Sequence, residues 1–358
     1  MKVKEWSEYY LHDVHGNSQH SYKEVLPKYT GLPEVTLSAV TKTGQPESSI
    51  QVPKQKSYTG KTPMIPSSLA NIPCSSLGVK GLLGKLNSIL DTSYTMEIHS
   101  LSSLLDAYIM KGYDFGTVYG HLCQFWYYDL IDIKNEIQSR EALDQQMRQD
   151  VLINNKIISK QLPPRRVWDL FSNRVVPWWV VRQYLLPISH AWMKEEDRMD
   201  VHMPINGCEW PVPMPKDANL DLICIEMLNL GAEYVWLDVL CLRQVGGCVE
   251  EWKLDVPTIG RVYMVAYSGV VSYFSGLGHP FSLKEDDLES DRCWFRRAWT
   301  MQEVQHHMII GGDTGDDRFT HKEMWTWVEN RLAVLGKTVG FTGLGKPVFI
   351  TLSEMRKR

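Results

Sequence analysis

Three segments of the chain carry side chains whose types and spacing suit chemistry. Pro187-Ile-Ser-His-Ala-Trp192 places a hydroxyl, an imidazole and an indole just past a short apolar run. If that run is a strand of an open α/β sheet, Ser189, His190 and Trp192 stand at its carboxyl end, where such sheets bind ligands. The plainer alternative is a satisfied loop with an ordinary hydrogen-bonded histidine. Asp238 interrupts the apolar run Tyr234–Leu242 and is followed by Arg243-Gln244. A carboxylate there needs a partner, because an unpaired buried charge is expensive; an arginine and a ligand are equally good partners. The third segment is Asp291–Val304, DRCWFRRAWTMQEV. Read as a helix, it puts Phe295, Trp299 and Gln302 on one side, with Glu303 one turn beyond Trp299. By itself a glutamate on such a helix is ordinarily solvated, and Arg296-Arg297 ordinarily exposed or ion-paired.

Other signals do not hold. Gly336-Lys337-Thr338 ends like a phosphate-binding loop, but the glycine required five positions earlier is Arg331. Asp313-Thr314-Gly315 continues into Asp316 rather than Ser or Thr and reads as a turn. His306, His307 and His321 lack zinc spacing. Ser189 and His190 as sequence neighbours say nothing of a hydrolase pair.

The elements that must position the three segments follow from patterning. Residues 1–80 are rich in Ser, Thr, Pro, Lys and Gly without sustained periodicity, which suggests a mobile or disordered arm. Residues 81–162 turn helical: Leu101, Leu104, Leu105, Tyr108 and Ile109 mark one helix, Tyr119–Leu130 a second and Asn135–Gln149 a polar-faced third. Pro163-Pro164 marks the boundary to a region 163–358 in which strands and helices alternate. There the expected strands are Tyr184–Ile188, Tyr234–Leu242, Gly269–Phe274 and Met308–Ile310. The expected helices are one capped by Asp217 and Gly231, one over Val256–Tyr267 with Pro257 in its first turn, and Arg292–His306. The predicted fold class is α/β, an open parallel sheet with crossover helices.

Composition bounds the rest. The chain has 358 residues, enough for about two domains. With 44% hydrophobic residues and a net charge of −4, it can build a core and lacks the basic excess of a typical nucleic-acid or membrane binder. Thirteen Trp and 16 Tyr signal large flat side chains with something to pack or stack. Met1–Tyr10 lacks the apolar run of a secretory signal, and the most apolar window, Val175–Ile188, is broken by Arg182, Gln183 and two prolines. The seven cysteines are scattered without a Cys-x-x-Cys pair, so neither a disulfide framework nor a metal site is expected. A cytoplasmic location is expected, with no nucleic-acid partner and no membrane span.

Together the segments resemble a known family. Ile188-Ser-His-Ala-Trp192, Tyr234-Val-Trp-Leu-Asp-Val-Leu-Cys-Leu-Arg-Gln244 and Trp294-Phe-Arg-Arg-Ala-Trp-Thr-Met-Gln-Glu303 look like the three ordered blocks of the fungal heterokaryon-incompatibility (HET) domain. Its members read approximately Ser-x-x-Trp, Trp-Ile-Asp-x-Leu-Cys-Ile-x-Gln and Arg-x-Trp-Thr-x-Gln-Glu. The resemblance covers about Val167 to Ile310, with core motifs at 187–303. Gly246-Gly247-Cys248 and Pro257 depart from the usual pattern between the second and third blocks.

The resemblance implies a TIR-like parallel sheet and a role in programmed cell death after fusion of genetically different hyphae. Many TIR domains cleave NAD at the nicotinamide–ribose bond with a Glu four residues after a Trp, the spacing of Trp299 and Glu303. Glu303 is thereby the implied catalytic residue, and Ser189, His190, Trp192, Asp238, Arg297 and Trp299 the implied substrate contacts. NAD would be substrate, with no resident cofactor or metal. A carboxylate suits that chemistry, since departing nicotinamide leaves an oxocarbenium-like ribose, and the neutral leaving group needs no acid. The same resemblance admits a non-catalytic module acting through self-association with an unidentified protein partner, or a degenerate copy.

Overall fold

The computed structural model describes residues 34–127, 130–159, 162–181, 183, 185–247, 249–264, 266, 269–282, 284, 290–296, 303, 308–314 and 326–330. In chain order its elements are β1 (Val35–Ser38), α1 (Ala39–Thr43), β2 (Ser57–Gly60), α2 (Cys74–Ile89), α3 (His99–Met110), α4 (Phe115–Leu122) and α5 (Ile133–Val151). Then come β3 (Leu152–Ile153), β4 (Lys156–Ile157), β5 (Arg166–Asp169), β6 (Arg174–Pro177), β7 (Leu186–His190), β8 (Arg198–Val201) and β9 (Val212–Pro215). The last are α6 (Leu220–Asn229), β10 (Tyr234–Trp236), α7 (Asp238–Cys241), α8 (Val249–Met264), β11 (Val270–Tyr273) and β12 (Met308–Ile310).

The protein is mixed α/β, built on a six-stranded sheet of order β12-β11-β7-β10-β5-β6. β10, β7, β11 and β12 are mutually parallel, and β5 runs antiparallel to both β10 and β6. From β7 the chain moves through α6 to β10 on one side, then through α8 back past β7 to β11 on the other. Right-handed crossovers in opposite directions place their helices on opposite faces. The order therefore reverses between β7 and β11, and a crevice opens outside the carboxyl ends of the strands at such a switch point. Both central strands are buried along their length, as a sheet covered on two faces requires.

One hydrophobic cluster runs from Leu37 to Leu277. It joins the helices (Leu82, Leu105, Tyr119, Met147) and the turn residue Trp126 to the strands (Trp168, Val176, Ile188, Val235, Val271). Ion pairs cross the same junction: fully buried Arg174 reaches the α4 N-cap Asp114 at 2.7 Å, and Arg148 of α5 reaches Asp255 of α8 at 4.0 Å. Residues before and after Pro163-Pro164 thus share one core.

The structure differs from the sequence expectations at definite places. Residues 34–80, expected to be a mobile arm, carry β1, α1, β2 and the start of α2. Leu37, Ile50, Val52, Met64 and Ile65 are buried, and Gln55 donates at 2.7 Å to Glu226 of α6. Glu226 also accepts from the Tyr273 hydroxyl and the Gly312 amide, both at 2.8 Å. These apolar residues are too sparse for a periodic signal; partners far along the chain order them, Phe171 accepting the Ile65 amide and Glu226 the Gln55 side chain. The cap of α6 is Asn219, not Asp217, which instead pairs with Arg292 and His279. α8 begins at Val249, so Pro257 lies inside it rather than in its first turn. The run Tyr234–Leu242 is a strand of three residues followed by the one-turn α7, and Asp238 opens that turn. The β5–β6 hairpin was not expected from patterning. Of the expected helix Arg292–His306, Trp294–Arg296 is a 3-10 turn and residues 297–302 and 304–307 lie outside the described residues.

Gly120 shows how closely the helical region meets the sheet. A Cβ there would lie 2.9 Å from Ser172 Oγ and Val176 Cγ1, and 3.1 Å from Asp169 Oδ2. Gly120→Ala is expected to cost about 1–3 kcal/mol by overpacking, read as a lowered midpoint of thermal unfolding. An unchanged midpoint would mean that α4 does not press on the hairpin.

Candidate active site

The carboxyl ends of β7 and β10 hold the polar residues of the first two segments, and Glu303 returns to them from the third. Ser189 lies in register beside Ser272, and His190 beside Tyr273, on adjacent parallel strands. Strand pairing sets their backbones before any side chain is considered.

Ser189 Oγ donates to Glu303 Oε2 at 2.5 Å and accepts from the Trp294 indole N–H at 2.7 Å. Trp294 is fully buried in a second small cluster with Phe274, Cys293, Phe295, Ile310 and Val328. Phe274 and Phe295 meet its ring edge-on at 5.4 and 5.3 Å. Burial is the main influence on Glu303 and drives its carboxyl up to about 8. The Ser189 hydrogen bond is the largest opposing effect; Asp238 adds to the rise, and His190 and the Tyr263 hydroxyl oppose it. Tyr263, on α8, also donates to the Ile188 carbonyl at 3.2 Å and sets its ring edge against Trp236.

Beside this pair stands a second one. His190 Nε2 lies 2.9 Å from Asp238 Oδ1, which also accepts the Val239 amide at 2.7 Å. The Trp192 indole N–H donates to the other oxygen, Oδ2. The remaining ring nitrogen of His190, Nδ1, lies 3.2 Å from the Ala191 carbonyl, an acceptor only. Both nitrogens therefore face acceptors, which fits an imidazolium. Burial alone would lower His190, but the charge and hydrogen bond of Asp238 outweigh it and the net shift is upward. Burial alone would raise Asp238, but His190, Trp192 and the Val239 amide bring it below the usual range. Gln244 ties the following loop down by donating to the Asp238 and Leu242 carbonyls.

Ser189, His190, Tyr263 and Trp294 form the buried floor, while Trp192, Asp238, Gln244 and Glu303 remain partly exposed at the rim. Ser189, His190, Trp192, Asp238 and Glu303 are brought together as the sequence suggests. The roles differ, however. Asp238 is committed to internal donors, and the Ser189 hydroxyl to Glu303. Arg297 and Trp299 lie outside the described residues. Trp294 and Tyr263 were not singled out. Trp294 opens the third block and was legible there as a position; nothing local marks Tyr263.

Two carboxyl groups with opposite shifts separate an uncharged acid, Glu303, from a permanent carboxylate, Asp238, the pattern by which sites assign acid and base roles. The shifts also make stability fall with alkalinity. A carboxyl raised in the folded state stabilises below its unfolded value and loses that contribution as pH climbs through its folded one. Glu303 behaves so up to about 8, and Asp169 so up to about 7, where burial outweighs its bonds from Ser172 and Phe171. His190, raised on pairing, also loses its contribution as pH rises. Asp238, lowered, acts oppositely but only in acid. The unfolding midpoint is expected to fall between pH 5 and 8.5, with Asp169 contributing at most on the order of 4 kcal/mol. Asp169→Asn should flatten the curve; an identical slope would remove Asp169 from it.

Among the described residues no helix is long and apolar enough to cross a membrane. No family model matches the chain, and neither a curated protein nor a solved structure matches it.

Proposed function

We propose that the chain is a HET-domain protein of fungal non-self recognition, with a TIR-like sheet, that hydrolyses the nicotinamide–ribose bond of NAD in the cytoplasm. The observation that supports this reading most is the meeting of all three sequence blocks at one switch point. Ser189, Asp238 and Glu303, up to 114 positions apart, share a single hydrogen-bonded site there.

In this reaction the bond between ribose C1′ and the pyridinium nitrogen breaks, and its electron pair leaves with neutral nicotinamide. The positive charge stays on the ribose, where the Glu303 carboxylate faces it. Water adds at C1′, and its proton passes to Glu303 and then to solvent. Burial favours protonated Glu303, but an entering pyridinium cation beside it favours the ionised form. Trp192, held edge-on by Asp238, offers a ring face for the leaving base. Fixed charges of the His190–Asp238 pair need no rearrangement during the reaction.

The test is nicotinamide release from NAD by the purified full chain at pH 8.5. The full chain is required because residues on both sides of Pro163-Pro164 share the core. Release supports the reading. A folded chain that releases none removes it and leaves the self-assembling module. That second reading is favoured by Val245, Val249 and Trp252, apolar and more than half exposed on and before α8.

A further inference from the structure

Ser189 has one hydroxyl proton and two hydrogen-bonding neighbours. The Trp294 indole N–H is a donor only, and at 2.7 Å it occupies a lone pair of Ser189 Oγ. The hydroxyl proton must then point elsewhere, and the acceptor in reach is Glu303 Oε2 at 2.5 Å. A buried indole N–H without an acceptor would carry a desolvation penalty, so the direction of this chain is dictated rather than free. The second hydroxyl is that of Tyr263. It donates to the Ile188 carbonyl at 3.2 Å and also favours the charged form of Glu303. The groups that face Glu303 are Ser189 and His190 from β7, Asp238 from the start of α7, and Tyr263 from α8. Of these, Asp238 and His190 are already paired with each other, which leaves the two hydroxyls as the adjustable partners.

We propose that Trp294 and Tyr263 are positioning residues for Glu303: the indole N–H aims the Ser189 hydroxyl at the carboxylate, Tyr263 adds a second donor, and together they hold the ionised form in one orientation. Its catalytic consequence rests on the hydrolase reading, but the hydrogen-bond relay does not. Neither residue touches the reacting atoms. Tyr263→Phe deletes only the hydroxyl, whereas Trp294→Phe deletes the N–H together with part of a fully buried ring, so its packing cost has to be separated from the loss of the donor.

The full chain labelled with 13C at glutamate Cδ reports the Glu303 carboxyl directly, assigned by its absence from Glu303→Gln. In each variant its titration midpoint should move up by about half a unit to one unit, the effect of losing one donor to the charged form. The pH profile of kcat/KM for NAD should move with it: a loss of about fivefold at pH 7 that shrinks to under about twofold at pH 10, since a shifted ionisation is recovered by alkali. A merely structural defect lowers the rate equally at every pH. If Trp294→Phe fails to fold, Ser189→Ala breaks the same relay. In a folded set, Ser189→Ala/Trp294→Phe should titrate as Ser189→Ala alone. Unmoved midpoints, or additive shifts in the double variant, overturn the proposal even where nicotinamide is released. Shifted midpoints in a chain that releases none uphold the relay and remove the hydrolase reading.

Discussion

Glu303→Gln leaves the chain folded and lowers nicotinamide release from NAD by roughly 10²–10⁴-fold, the range for losing a positioned proton acceptor. The amide has the shape of the acid and its oxygen accepts the Ser189 hydroxyl, so the bond seen at 2.5 Å has a replacement. What it lacks is the negative charge that faces the developing ribose cation and the capacity to take a proton from the attacking water. Loss of activity alone would not separate chemistry from misfolding, but stability moves the opposite way. The carboxyl, held up to about 8 chiefly by burial, destabilises the fold as it ionises, and glutamine cannot ionise. Glu303→Gln should therefore unfold at the same temperature as the wild type at pH 5 and at a higher one at pH 8.5. Undiminished release at pH 8.5 would end the catalytic assignment. A uniformly lowered midpoint would mean that the carboxyl serves the fold.

Asp238→Asn is expected to be the most damaging single change to stability in the site. Asp238 accepts from His190, the Val239 amide and the Trp192 indole at once. Asparagine turns one of those acceptors into a donor that faces another donor, and leaves the buried imidazolium without its counter-charge. Breaking a buried pair in this way costs roughly 3–5 kcal/mol, or about 4–7 °C in the midpoint for a chain of this size. The sign of the pH dependence identifies the cause. His190 would then titrate below its present, raised value, so the variant should regain stability between pH 6 and 8 relative to wild type as the ring loses its proton. Thermal unfolding at the two pH values, with the His190 ring followed by NMR, reads this. An equal midpoint at pH 6 would show that the pair is not the counter-charge its geometry indicates.

Much of the frame was legible from residue order. Leu101, Leu104, Leu105 and Tyr108 repeat at helical spacing and all four are buried in α3. The β-branched run Gly269–Phe274 became the buried β11. Where expectation and structure part, a local pattern was outweighed by a distant partner. Leu37, Ile50 and Val52 are too few to fold an arm of their own, yet they are buried because other parts of the chain supply the opposing surface. The apolar run Tyr234–Leu242 carries no local mark that the strand ends at Trp236, since helix and strand are equally apolar where both are buried.

By itself the sequence determined the residue types of the candidate site, their order along the chain and the α/β alternation that sets Ser189 at a strand end. These follow from periodicity and from rules of connection that act over short separations. Only the tertiary structure decided which groups touch. It placed the Glu303 carboxyl against Ser189 and within the influence of Tyr263, engaged Asp238 with His190 and Trp192, and buried Trp294 so that its N–H acts on Ser189. Hydrogen bonds and burial depend on distances of a few ångströms between residues up to 114 positions apart. No spacing along the chain encodes such distances until the sheet has brought its strand ends together.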